Sequence, residues 1–166
     1  EQLTNLEPVG TMPLEVLWLN HSGVSDLTPL AGMRRGELNL YGTPVEDIGP
    51  LKLTSLGTLW LRDTRVSDLT PLAGKQLVSL DISNTPVSDI APLAGMTSLE
   101  RLNLAGSAVS DLAPLTGLRL QRIVFTPARI TKGLDAIRNM PSLRQIGTRF
   151  DDDGDDLVTP REFWKQ

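Results

Sequence analysis

The sequence predicts an α/β solenoid in which copies of one short strand-and-turn unit stack into a curved parallel sheet. Two observations predict it: apolar columns that recur at a nearly constant period, and a switch inside every unit from two-residue alternation to a turn marked by Asp and Pro. The unit is clearest at residues 77–96, LVSLDISNTPVSDIAPLAGM, where Leu77, Leu80, Ile82, Val87, Ile90 and Leu93 are apolar. Its second apolar position recurs as Leu17, Leu38, Leu59, Leu80, Leu102, Ile123 and Ile146, which by subtraction gives spacings of 21, 21, 21, 22, 21 and 23 residues. Such a unit is too small to bury its own apolar face, so neighbouring copies must cover one another.

Around each anchor the residues alternate, as in Val16-Leu17-Trp18-Leu19-Asn20 and Thr58-Leu59-Trp60-Leu61-Arg62. Period two marks a strand with one buried face. Inward columns then follow at Leu19, Leu40, Leu61, Ile82, Leu104 and Phe125, and at Val24, Val45, Val66, Val87, Val109 and Ile130. An aspartate column (Asp26, Asp47, Asp68, Asp89, Asp111) suits a helix N-cap. The prolines three residues later (Pro29, Pro50, Pro71, Pro92, Pro114), each followed by leucine, fit only a first helical turn, where no amide hydrogen is needed. So short a unit leaves room for a single turn, expected to be 3₁₀.

The ends depart from the pattern. In residues 1–13, Leu3, Leu6, Pro8, Val9 and Met12 fall where Val87, Ile90, Pro92, Leu93 and Met96 fall in the central unit. The chain is therefore expected to start inside a partial repeat, as a fragment or processed product, with an exposed first edge. The sixth unit, RIVFTPARITKGLDAIRNM, lacks the Ser-Asp-Pro signature, and TKGLDAIRNM is expected to form a longer true helix with Leu134, Ile137 and Met140 inward. Residues 141–150 supply a last strand. The expected organisation is a repeat domain over residues 1–149, with six to seven units from residue 14, and an acidic loop with a capping helix over 150–166.

The motif LxxLxLxxTxVSDLxPLxGM resembles the leucine-rich repeat, in the short bacterial form of internalin-like proteins, across about residues 3–148. The resemblance implies a right-handed solenoid with its parallel sheet on the concave face, short 3₁₀ turns on the convex face and a helical cap at the C-terminus. Two departures stand out. The usual turn asparagine is replaced by Ser22, Thr43, Thr64, Thr85 and Ser107, whose hydroxyls can still bond backbone, and by Ala128, which cannot. Arg35 occupies the first-leucine column, so local looseness is expected there.

Composition limits the function classes. Apolar residues make up 40% of 166 residues, enough for one core, and no apolar run is long enough for a membrane helix. Cysteine is absent, which excludes disulfides and thiolate chemistry. The net charge of −4 arises in residues 150–166, leaving the repeats nearly neutral and without the basic stripe that nucleic acid requires. His21 is the sole histidine and lies in a turn; no nucleophile–base set or phosphate loop can be assembled, so no enzyme is expected.

The candidate site is the outward face of the strands. Trp18, Tyr41 and Trp60 are expected to cluster there as anchors, with Arg62, Asp81, Arg101, Asn103 and Arg122 as polar contacts. Trp, Tyr and Arg are the residue types that dominate interface energetics. The bland alternative is that segments outside this chain cover the aromatics. A protein partner bound by a monomer is the first expectation; a carbohydrate stacked on the same rings, or a ligand-free spacer or regulatory module, are the others. The absence of cysteine does not fix the compartment, and a secreted or cell-surface setting is favoured over a cytoplasmic one.

A second candidate lies in the tail, DDDGDDLVTPREF. Asp151, Asp153, Asp155, Val158, Thr159 and Glu162 resemble the ligand spacing of an EF-hand or dockerin calcium loop. Against calcium, the glycine stands at Gly154 while Asp156 occupies the position that wants one, and RQIGTRF reads as a strand. The competing expectation is a capping box, Thr159-Pro160-Arg161-Glu162, that opens a helix whose Phe163 and Trp164 cover the last repeat.

Overall fold

Alternation around each anchor places strands where the pattern asks for them. The computed structural model describes residues 2–34, 36–151 and 153–165, and of Asp151 the backbone alone. Arg35, where looseness was expected, lies outside the described residues. Seven strands form one sheet in chain order: β1 (Val16–Trp18), β2 (Gly36–Asn39), β3 (Leu56–Trp60), β4 (Ser79–Asp81), β5 (Arg101–Asn103), β6 (Arg122–Val124) and β7 (Gln145–Gly147). Each neighbouring pair is parallel, and the anchors stand opposite one another from Leu17 through to Ile146. The period is thus a register: one unit advances the chain by one strand.

The core is the stack of inward columns. Leu38, Leu59, Leu80, Leu102, Ile123 and Ile146 are buried, as are the leucines of the next column and the valines beyond it. Each such side chain contributes roughly 1.5–3 kcal/mol by leaving water. Leu17 is only half-buried, and its strand neighbours Val16 and Trp18 are 53% and 65% exposed, because β1 is the edge strand and pairs with β2 alone among the described residues.

The turn after each strand carries a column that the repeat pattern does not announce. His21, Asp63 and Asn84 have φ of 58°, 53° and 53°, and Gly42 and Gly106 have 67° and 70°. These are residue types that tolerate the left-handed region, which explains His21 as a turn residue. In the sixth unit the position is Pro127, whose ring forbids positive φ, and a 3₁₀ turn, Pro127–Arg129, replaces it. One residue further into the core, the hydroxyls of Thr43, Thr64, Thr85 and Ser107 donate to the carbonyls of Leu40, Leu61, Ile82 and Leu104 at 2.6–2.7 Å. They satisfy backbone acceptors as expected. Ser22 Oγ is buried without a partner among the described residues.

The aspartates do not serve as N-caps. The 3₁₀ turns Thr28–Leu30, Thr70–Leu72, Ala91–Leu93 and Ala113–Leu115 have Leu27, Leu69, Ile90 and Leu112 at their N-caps, none with a side-chain cap. Each aspartate stands one residue earlier and accepts the first turn amide: Thr28 N on Asp26 at 2.8 Å, and Gly49, Thr70, Ala91 and Ala113 on theirs at 2.6–2.8 Å. An aliphatic residue takes the N-cap because that position points into the core.

The expected long helix is one α-turn, α1 (Asp135–Arg138), followed closely by Pro141, which disfavours helix in the residue before it. Ile137 and Met140 are buried and Leu134 half-buried, so the inward face is as expected. After β7 the chain forms a two-stranded antiparallel hairpin, β8 (Phe150–Asp151) and β9 (Gly154–Asp155). It then returns along β7, where Val158 and Ile146 exchange both backbone bonds at 2.9 Å. The second helix, α2 (Pro160–Phe163), opens with the expected capping box. Phe163 lies 5.7 Å from Phe125, and the Arg138 guanidinium lies 4.9 Å from the Trp164 ring centre, so the tail closes the last repeat.

Candidate binding face

Parallel register turns the outward residues into columns. One runs Val16, Glu37, Thr58, Ser79, Arg101, Arg122 and Gln145; the next runs Trp18, Asn39, Trp60, Asp81, Asn103, Val124 and Gly147. Over β2 to β6 they line a groove of about 310 Å³ whose walls include Trp60 on one side and Phe150 on another. Of the expected contact residues, Trp60, Asp81, Arg101, Asn103 and Arg122 meet there.

Trp18 and Tyr41 do not join them. Trp18 stands two strands from Trp60, with Asn39 between, at the open edge of the sheet. Tyr41 packs edge-on against His21 at 4.4 Å, and the Arg62 guanidinium lies over its ring at 4.6 Å. The expected aromatic cluster is therefore divided, because Trp18 and Trp60 stand two strands apart in one column and Tyr41 lies in the turn beyond the end of β2. Arg62 also reaches Asp63, Nε to Oδ2 at 3.2 Å.

A buried polar network forms the floor. Asp81 Oδ1 accepts from Ser83 N at 2.8 Å and from Ser83 Oγ at 2.6 Å, while Oδ2 accepts from Asn103 Nδ2 at 3.1 Å. Burial pushes the Asp81 carboxyl above the ordinary aspartate range, against the opposing pull of these bonds and of Arg62. Asn103, 7% exposed, also donates to the Phe150 carbonyl at 3.2 Å and accepts from Ala105 N at 3.2 Å. Arg122 donates to Gln145 Oε1 at 2.9 Å, and its guanidinium lies 4.7 Å from the Phe150 ring centre. Phe150 is the groove residue that sequence reasoning missed; an aromatic ending a strand pattern before an acidic run was the signal for it.

The tail carboxylates are spent locally. Asp153 and Asp155 are exposed, and Asp155 Oδ1 accepts from Leu157 N at 3.3 Å. Glu162 Oε2 accepts from Thr159 N at 2.9 Å and from its hydroxyl at 2.7 Å, and the Thr159 hydroxyl bond, then the amide, hold Glu162 below the ordinary range. Asp156 accepts from the Thr148 and Arg149 amides at 2.7 and 2.8 Å and from the Thr148 hydroxyl, pinning the base of the hairpin. Burial raises its pKa, but these bonds outweigh it. Among the described residues no three His, Asp or Glu side chains stand close enough to share a metal ion, and the Asp151 side chain lies outside them. Nor is any described helix long and apolar enough to cross a membrane.

Residues 75–117 match the family model for leucine-rich repeats in two copies. Two solved structures are similar over most of the chain. One is an internalin, inlF, from Listeria monocytogenes: 26% identical, with a TM-score of 0.73, covering 88% of this chain and 44% of that one. The other, internalin C2 from the same organism, is 28% identical with a TM-score of 0.76, covering 86% of this chain and 65% of that one. The chain therefore spans less than two thirds of the length of either internalin. No curated protein matches the chain. Period, seven-stranded parallel sheet and these likenesses agree that the chain is a leucine-rich-repeat solenoid similar to the bacterial internalins.

Proposed function

We propose that this domain is a non-catalytic recognition module that binds a protein partner, as a monomer, through the concave face of its sheet. The observation that carries the reading is the groove over β2 to β6, where Trp60, Arg101 and Phe150 stand around a floor already fixed by hydrogen bonds. A preformed surface gives up little conformational entropy on binding, and aromatic and arginine side chains at its centre can supply most of the affinity. A secreted or cell-surface setting goes with this reading.

The test is selection of binders from a displayed peptide library on the whole chain, repeated on Trp60→Ala and on Trp18→Ala, beside a glycan panel. Binders that lose about tenfold or more on Trp60→Ala, and whose footprint by hydrogen exchange falls on the strands, support the reading. Binders that footprint on the 3₁₀ turns overturn it, and glycan binding lost on Trp60→Ala replaces it with carbohydrate recognition.

A further inference from the structure

The groove carries opposite charges at its two ends. Glu37 and Arg101 occupy the same outward column, on β2 and β5, with the uncharged Thr58 and Ser79 between them. Both line the groove, and neither side chain makes a hydrogen bond or ion pair among the described residues. Arg122, one strand further, is already engaged by Gln145 and by the Phe150 ring, and the hairpin stands at that end. Arg101 is thus the guanidinium left for a ligand.

Three inter-strand steps separate Glu37 from Arg101, about 14 Å at about 4.8 Å each. In an extended peptide four residues span about 13 Å, and residues four apart point to the same face. The residue midway between them points the same way and arrives over β3 and β4, beside Trp60 and Asp81. Residues four apart on a helix are separated by only about 6 Å along its axis, so at that spacing an extended chain matches the Glu37–Arg101 distance and a helix does not.

Building on the concave-face reading, we propose that the groove binds an extended peptide segment of a protein partner laid across the strands. A basic residue of the segment meets Glu37, an acidic residue four positions away meets Arg101, and an apolar or aromatic residue midway contacts Trp60. Charge complementarity of this kind selects the partner and sets its position along the groove more than it adds raw affinity.

The test uses synthetic end-blocked peptides in which lysine and aspartate stand four residues apart with phenylalanine midway. Comparison peptides have a spacing of three, two aspartates, or two lysines. Binding to the whole chain is followed by NMR at the amides of β2 to β5. The spacing-four mixed-charge peptide is expected to bind about two- to fivefold more tightly than the others, the range of an exposed ion pair. Glu37→Lys should transfer the preference to the two-aspartate peptide and Arg101→Glu to the two-lysine peptide; both sites reach solvent, and unchanged circular dichroism confirms that each variant folds. Equal binding by every peptide at those amides overturns the charge spacing and leaves concave binding intact. Absence of any shift with any peptide also overturns this proposal, while the library footprint judges the concave face separately.

Discussion

Asn103 Nδ2 lies 3.2 Å from the carbonyl oxygen of Phe150, a residue 47 positions further along the chain, and so ties the C-terminal hairpin to the middle of the sheet. The same nitrogen holds the Asp81 carboxylate, so one side chain joins the groove floor to its wall.

Removing that link should free the hairpin without unfolding the repeats. Asn103→Ala is expected to cost about 1–2 kcal/mol, because it also leaves buried acceptors unpaired. Hydrogen exchange should speed up at residues 148–156 while the amides of β2 to β4 keep their protection. Unchanged exchange in the hairpin would show that its remaining contacts, those of Asp156 and of the Phe150 ring with Arg122, suffice to anchor it.

The carboxylates should titrate in opposite directions. Asp81 is raised by burial, whereas Asp26 and Asp68 are lowered by bonds from the Thr28 and Thr70 side chains and then their amides. A folded acid with a lowered pKa stabilises above its unfolded value of about 3.9 and loses that contribution as the pH falls through the folded value. Asp81 has the opposite sign: its charged form opposes folding at neutral pH, and the opposition fades as the pH falls through its raised folded pKa. Carboxyl carbon NMR titration should place Asp81 above the ordinary value and Asp26 and Asp68 below it.

Gly36 should resist substitution. Its φ is 141°, at a shift in register between β2 and β3, and an added Cβ would lie 1.6 Å from the Glu15 carbonyl oxygen. Gly36→Ala is expected to cost at least about 3 kcal/mol in denaturant melts. Gly32, where a Cβ meets nothing within 4 Å, is the control and should change by less than about 1 kcal/mol on the same substitution.

Anchors should differ with their place in the stack. Leu59 is fully buried between two neighbouring strands, and Leu59→Ala is expected to cost about 2–5 kcal/mol. Leu17→Ala on the edge strand should cost about 1–2 kcal/mol in the same urea titration, because that side chain already meets water.

The stacked architecture was legible because each unit interacts with its immediate neighbours through identical columns, and an equal spacing of aliphatic residues encodes a strand-to-strand register directly. The outward columns followed from the same alternation, so Trp60, Asp81, Arg101, Asn103 and Arg122 could be placed on one face from their positions alone. The left-handed turn column was harder to read: His21, Gly42, Asp63, Asn84 and Gly106 share a backbone conformation rather than a side-chain type. The separation of Trp18 and Tyr41 from Trp60, the shift of the aspartates to one residue before the cap, and the seating of Phe150 in the groove belong to the folded molecule. Each depends on which groups from distant or adjacent units compete for one volume or one hydrogen bond, and no local periodicity records the outcome of that competition.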